Sequence, residues 1–220
     1  MVVPELARKI EVFQNSLANR LVPFGFKRLN ADDDFDSSFW CRGDLRSLNY
    51  GVGVVDYETV VCLRATAGIR FEQIEVICHA ASGLPPDIHA EICTIGAPDL
   101  APDCKPDENV GRLAVGASAD STDQLVAAAE RLFASSVVPF FDRFKTIQDV
   151  DVLLNSEPKT ASRYLADDYG RCCRGLAAAK LVGRTDIQHV LAIYTDRMQK
   201  AAKGFYVKRF MRLVSSLGLG

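Results

Sequence analysis

The chain lacks most of the short motifs that announce a function. No uninterrupted apolar run reaches the roughly 18 to 20 residues that a membrane helix needs. Its first residues, MVVPELARKIEVFQ, carry charges every few positions and lack the apolar centre of a secretory signal. There is no Asn-x-Ser/Thr glycan acceptor and no Cys-x-x-Cys pair, and only three histidines and one tryptophan. Also absent are the Gly-rich phosphate loop ending in Gly-Lys-Ser/Thr, a Gly-x-Gly-x-x-Gly turn after a strand, His-Glu-x-x-His and Gly-x-Ser-x-Gly. The frequent nucleotide-binding, metalloprotease and hydrolase readings lose their usual support, while an enzyme of another kind stays open.

What is present is ordinary for a globular protein. At 220 residues, 48% of them hydrophobic and 25% charged, the chain can bury a real core as one large domain with an appended subdomain. The seven cysteines (41, 62, 78, 93, 104, 172 and 173) are odd in number and irregularly spaced, which points to buried reduced thiols and a cytoplasmic setting. Charge is unevenly spread. Residues 1–158 hold 14 Lys and Arg against 24 Asp and Glu, a net −10, whereas residues 159–220 hold 12 against 4, a net +8. An acidic domain over 1–158 followed by a basic helical subdomain over 159–220 is the expected organisation.

Along the chain, Leu6, Ile10, Phe13, Leu17 and Leu21 share one helical face behind Pro4, and Pro23 with Gly25 stops it. Strands are expected at Phe24–Arg28, Ser38–Arg42, Asn49–Val54, Val60–Ile69, His89–Ile95 and Leu113–Val115, with turn residues between them. The glycines at 51 and 53 mark a bend or a close approach over that strand. Helices are expected at Phe71–Ala81, over 123–138, from Thr146/Asp149 to Asn155, and over 160–181, 185–202 and 204–217. Strands first and helices afterwards define α+β: an antiparallel sheet of four to six strands packed against helices.

Four constellations could carry chemistry. In the acidic run Asp32, Asp33, Asp34 and Asp36, residues Asp32, Asp34 and Asp36 fill positions 1, 3 and 5 of a calcium loop that begins at Asp32, but position 6 is Ser37 instead of glycine and position 12 is Gly43 instead of glutamate. A solvated turn, or a docking patch for a basic partner, fits them better. Cys78, His79, His89, Cys93 and Cys104 offer zinc-type donors, yet on a strand residues 89 and 93 would lie about 13 Å apart at roughly 3.3 Å of rise per residue. Neither metal nor cofactor is expected. Arg171 and Arg174 flank Cys172 and Cys173 and could lower a thiol pKa, but a helix turns one of the pair toward the core, and structural thiols are the expectation. Finally, Arg197, Lys200, Lys203, Lys208, Arg209 and Arg212 cluster with Phe205, Tyr206 and Phe210, a pattern that could meet phosphate backbones. The low whole-chain pI of about 5.9 and the absence of a nucleic-acid-binding motif argue against that use.

The N-terminal helix, then Phe24-Gly-Phe-Lys-Arg, a Phe/Trp strand and Leu48-Asn-Tyr-Gly-Val-Gly-Val resembles bacterial domains of unknown function, some of which sit beside toxin–immunity systems. The likeness covers residues 5–70. It implies an α+β fold and a binding role, and it assigns no catalytic residue. The leading expectation is therefore a non-enzymatic, immunity-like protein-interaction module that uses its acidic half, with a homodimer as one arrangement. The alternative is a small-ligand binder or enzyme whose pocket uses Arg64, Arg70, His79, His89 and Tyr164. Nucleic-acid binding through the basic C-terminal helices is the third.

Overall fold

A computed structural model describes residues 4–29, 36–56, 61–83, 85, 90–97, 112–115, 122–162, 164–165, 167–201 and 204–220. The fold is α+β, and the chain packs as two units: Met1–Gly68 with Ala97–Asp142, and Ile69–Gly96 with Arg143–Gly220. This division by packing and the division by charge near residue 158 are different cuts through the chain.

In the first unit, α1 (Pro4–Leu21) buries Ile10, Phe13, Leu17 and Leu21, the stripe that the 3.6-residue period requires. A 3-10 turn at Val22–Phe24 follows and closes at Gly25, whose φ of 81° favours glycine and whose N–H donates to the Val22 carbonyl at 2.9 Å. That turn delays the first strand, expected from Phe24, to Lys27. Strands β1 (Lys27–Leu29), β2 (Asp36–Cys41), β3 (Arg46–Asp56) and β4 (Val61–Phe71) lie side by side in that order. β1 pairs antiparallel with β2, setting Lys27 opposite Trp40, and β2 pairs antiparallel with β3, setting Phe39 opposite Tyr50. Two short strands, β5 (Ile95–Ala97) and β6 (Arg112–Val115), both join β4.

Gly51 answers the question raised by the glycine-bearing strand. A Cβ there would come within 2.3 Å of the Thr66 hydroxyl on β4, so only glycine permits that approach. Helix α3 (Thr122–Leu132) runs through a π turn at Phe133–Val137 into α4 (Val138–Arg143), beyond the expected end at 138. Pro139 has no N–H to give the preceding turn, and the widened ladder falls just ahead of it. The interior is aromatic. Phe26 meets Phe133 edge-on at 5.4 Å and stacks on Phe141 at 6.0 Å, while Tyr50 sits 5.4 Å from Phe133 and donates its hydroxyl to the Ala129 carbonyl.

In the second unit, α2 (Glu72–Ser82) starts directly after β4 and ends at Gly83 with φ 66°. Phe71 donates its N–H to the Thr94 hydroxyl and Ile69 accepts from the Thr94 N–H, which fixes the segment ahead of β5. The strand expected over 89–95 therefore begins only at Ile95, after a turn near Ala90 and Glu91. Helix α5 (Ile147–Asn155) opens on a Thr146/Asp149 capping box, as the sequence pattern demands. The helix expected over 160–181 is shorter: α6 (Asp168–Leu181) starts where the Asp167 side chain caps the Gly170 N–H. Before that cap, Arg197 holds the Lys159 carbonyl at 3.1 Å, and residues 159–162 stay out of the helix. Helices α7 (Ile187–Ala201) and α8 (Gly204–Ser216) complete the unit.

Helix α6 is the centre of this unit and is buried on nearly every side, from Gly170 through Ala179 apart from Arg174. Its small residues allow close approach. A Cβ at Gly175 would lie 2.7 Å from the Tyr194 hydroxyl and 2.8 Å from the Asn155 amide oxygen.

Candidate functional site

Burying α6 between other helices forces its polar residues to find partners inside the unit. Arg174 reaches α2 and grips the fully buried Glu75 with two bonds, at 2.8 and 3.3 Å. Burial works against the Arg174 charge, and the Glu75 carboxylate outweighs it, holding the guanidinium pKa above its ordinary value. Gly170 is the counterpart of this pair in the sequence, because any Cβ there would meet the Arg174 guanidinium at 2.7 Å.

A second network joins α5, α6 and α7. Asn155 donates to Asp151 at 2.7 Å and to the Gly175 carbonyl at 2.9 Å, and Tyr194 donates its hydroxyl toward the Leu154 carbonyl and Asn155. Arg184 bonds Asp151 at 3.1 Å and also pairs with Asp186. Arg171 has no carboxylate among its described partners. It donates to the Leu154 and Glu157 carbonyls at 3.0 and 2.9 Å, where the C-terminal end of α5 presents the negative end of its dipole. Its Nε and Nη1 find no partner among the described residues.

The thiols follow the same logic. Cys172 and Cys173 are both buried, because α6 has no exposed face at that point. Burial pushes each thiol pKa up to about 12, and the neighbouring arginines do not offset it. Cys78 is raised well above its ordinary value, again chiefly by burial. Desolvation outweighs any lowering by Arg171 and Arg174, in keeping with the expectation of structural thiols. These are structural thiols, protonated at neutral pH, and no disulfide joins the described cysteines.

Of the residues expected to line a pocket, Arg70 is buried, with Nε on Glu72 at 2.7 Å and Nη1 on the Ile92 carbonyl at 3.0 Å. Tyr164 packs edge-on against Phe144 at 5.3 Å, accepts from Arg143 at 3.3 Å, and takes the Gly96 N–H on its carbonyl. His79 is half-buried on α2. Arg70 and Tyr164 thus brace the segment leading into β5. The Arg64 side chain and His89 lie outside the described residues, as do Asp32, Asp33, Asp34 and the Asp36 side chain. No cluster of three metal-type ligands occurs among the described residues. No helix of the described residues is long and apolar enough to cross a membrane.

The surface of the second unit carries two shallow grooves. One, of about 490 Å³, runs along α7 and is lined by Lys159, His189, Ala192, Ile193, Asp196, Arg197 and Lys200. Its cations are largely spoken for: Arg197 pairs with Asp168, and Lys200 with Asp196 at 2.8 Å. The other, of about 590 Å³, lies along α8 and is lined by Val207, Lys208, Met211, Arg212 and Ser215. Here Lys208 and Arg212 are exposed and meet no carboxylate among the described residues. Phe205, Tyr206 and Met211 are exposed at 56, 40 and 44%.

The basic C-terminal cluster read from the sequence is therefore split. Its α7 members are paired, Phe210 is buried with Leu213 and Val214, Lys203 lies outside the described residues, and Arg209 lies over the Phe205 ring at 4.0 Å. Sequence reasoning missed the Glu75–Arg174 and Asp151–Asn155–Tyr194 sets, which no local spacing marks. No family model, no curated protein and no solved structure matches the chain, so the site rests on its own geometry.

Proposed function

We propose that the protein is a non-enzymatic protein-interaction module of a bacterial cytoplasm, immunity-like as the resemblance over residues 5–70 implies. The observation that supports this reading best is the contrast within the second unit. Glu75 and Arg174 are engaged with each other in the interior, whereas the outer face of α8 exposes Met211 beside Lys208 and Arg212, which meet no carboxylate among the described residues, with the half-exposed ring of Phe205 close by. The acidic run Asp32–Asp36 belongs to the same proposal as a second docking patch, for a basic surface. Its test is capture from host lysate at low and high salt. Wild-type protein is expected to retain a partner that a Phe205→Ser/Met211→Ser variant loses; a wild-type protein that retains nothing at either salt overturns the reading.

A second reading, a small-ligand binder, draws on the groove along α7 with His189 and Lys159 at its rim. A thermal-shift screen against small anionic metabolites tests it, with a shift that disappears in His189→Ala as the expected result.

A further inference from the structure

We infer that the outer face of α8 is a docking site for an acidic amphipathic helix of another protein, an inference that rests on the interaction-module reading and names the partner's chemistry. α8 has 13 residues and none is acidic. Its inward face is fully committed: Phe210, Leu213 and Val214 are buried, and Leu217 just beyond the helix is buried too. The side away from them carries Val207, Lys208, Met211, Arg212 and Ser215, at spacings of one, three, one and three residues. That is a continuous stripe along one side of a helix.

Within the stripe, chemistry alternates by turns. Lys208 and Arg212 stand four residues apart, which on a helix is about 6 Å along the axis. Val207 and Met211 are also four apart, and line the apolar floor beside them. A partner helix with carboxylates at i and i+4 presents the same 6 Å repeat, and an apolar residue between them reaches the Val207–Met211 floor. Methionine suits such a floor because its unbranched, polarisable side chain adapts to different shapes.

The pairing state of the cations decides against a merely solvated basic helix. On α7 the corresponding cations, Arg197 and Lys200, are matched by Asp168 and Asp196 of the same unit. On α8, Lys208 and Arg212 have no such match among the described residues, and they flank the exposed Met211 and the half-buried Val207. A charge on its own would suit a phosphate backbone equally well. The apolar floor does not: a nucleic-acid strand brings flat bases and phosphates, and neither fills a Val/Met groove, whereas the leucines of an amphipathic helix do. The interaction is thus expected to combine apolar burial, which sets its affinity, with charge matching, which selects the partner and speeds encounter.

The test uses full-length protein and a fluorescein-labelled synthetic helix of about 20 residues, long enough to form several turns. The helix carries leucines on one face and glutamates at i and i+4 beside them. Two comparison probes are a peptide with every Glu replaced by Lys, and a single-stranded DNA of similar length. By fluorescence anisotropy, the acidic peptide should bind most tightly and weaken with added salt. A Lys208→Glu/Arg212→Glu variant should bind it about tenfold more weakly. Met211→Ser, which leaves both charges, should also weaken it, and circular dichroism should show both variants folded because all three side chains are exposed. Equal binding of the acidic and Lys peptides, or tighter binding of the DNA, overturns the inference. Loss of lysate capture in the Phe205→Ser/Met211→Ser variant with no acidic-peptide binding overturns the partner chemistry and leaves the module reading standing. Peptide binding unaffected by the α8 variants overturns the location.

Discussion

In the first unit the interior is built from rings: Phe13, Phe26, Phe39, Trp40, Tyr50, Phe133 and Phe141 are buried, and Tyr50 satisfies its single hydroxyl on a backbone carbonyl. In the second unit the central helix is built from alanine, glycine, cysteine and arginine, and the space between helices is closed by Glu75–Arg174 and by Asp151, Asn155, Arg171 and Tyr194. Area and shape hold the first interior, and failure there is a cavity. Mutual satisfaction of polar groups holds the second, and failure there is a stranded charge. The difference is therefore chemical, and it can be read by substitution.

The sharpest comparison pairs Glu75→Ala with Phe133→Ala. Removing Glu75 leaves Arg174 without its buried carboxylate and should cost about 3–5 kcal/mol. Phe133→Ala removes the ring that Phe24, Phe26 and Tyr50 share and should cost a similar 3–5 kcal/mol. The two are told apart by the second substitution: Arg174→Met added to Glu75→Ala should restore part of the loss. The second unit is followed through labelling of Cys172 and Cys173 in urea, the first through fluorescence of the only tryptophan, Trp40. A Glu75→Ala protein whose thiols stay protected to the wild-type urea concentration would break the comparison.

Next in size is Gly175→Ala, a single methyl placed against the Tyr194 hydroxyl and Asn155. Overpacking of this kind costs about 1–3 kcal/mol. Pairing it with Tyr194→Phe, which removes the hydroxyl but keeps the ring carbon Cε2 2.8 Å from the added methyl, should cost less than the sum of the two single losses in the same urea titration.

The thiols contribute nothing to the pH dependence of stability near neutrality, where they are protonated folded or unfolded. Unfolded, they titrate near 9.0; folded, Cys172 and Cys173 hold their protons to about 12. Between those values the folded state binds more protons, so stability must fall as pH rises from about 9 toward 12. A Cys172→Ala/Cys173→Ser variant should make that alkaline limb shallower, the remainder falling to Cys78 and the buried tyrosines that burial raises in the same direction, and an unchanged limb would show that those other groups carry it all. The smallest effect belongs to the surface. Lys208→Glu/Arg212→Glu should leave the unfolding free energy within about 0.5 kcal/mol of wild type, since both side chains are exposed.

Much of the fold could be read locally. The stripe Ile10–Phe13–Leu17–Leu21, the Thr146/Asp149 box, the alternating Tyr50–Val52 strand and the stop at Gly83 are short-range signals, each complete within a turn or a pleat. The candidate site was half legible. The sequence gathered its basic and aromatic residues at the C-terminal end but joined cations that the fold separates into paired ones on α7 and, on α8, Lys208 and Arg212, which meet no carboxylate among the described residues. For the thiols the sequence pointed to a structural role with one of the pair facing the core, and the enclosure of α6 buries both.

Composition and periodicity by themselves determined that this chain is α+β, where its first helix lies and which residues cap its short helices, because those choices are made among residues a few positions apart. Only the tertiary structure decided that α6 would be enclosed and that α8 would keep an open basic stripe. It also decided that Glu75 would meet Arg174 across 99 residues of chain. Burial is a property of what packs against a residue, and a partner so far away in sequence leaves no periodic trace beside it.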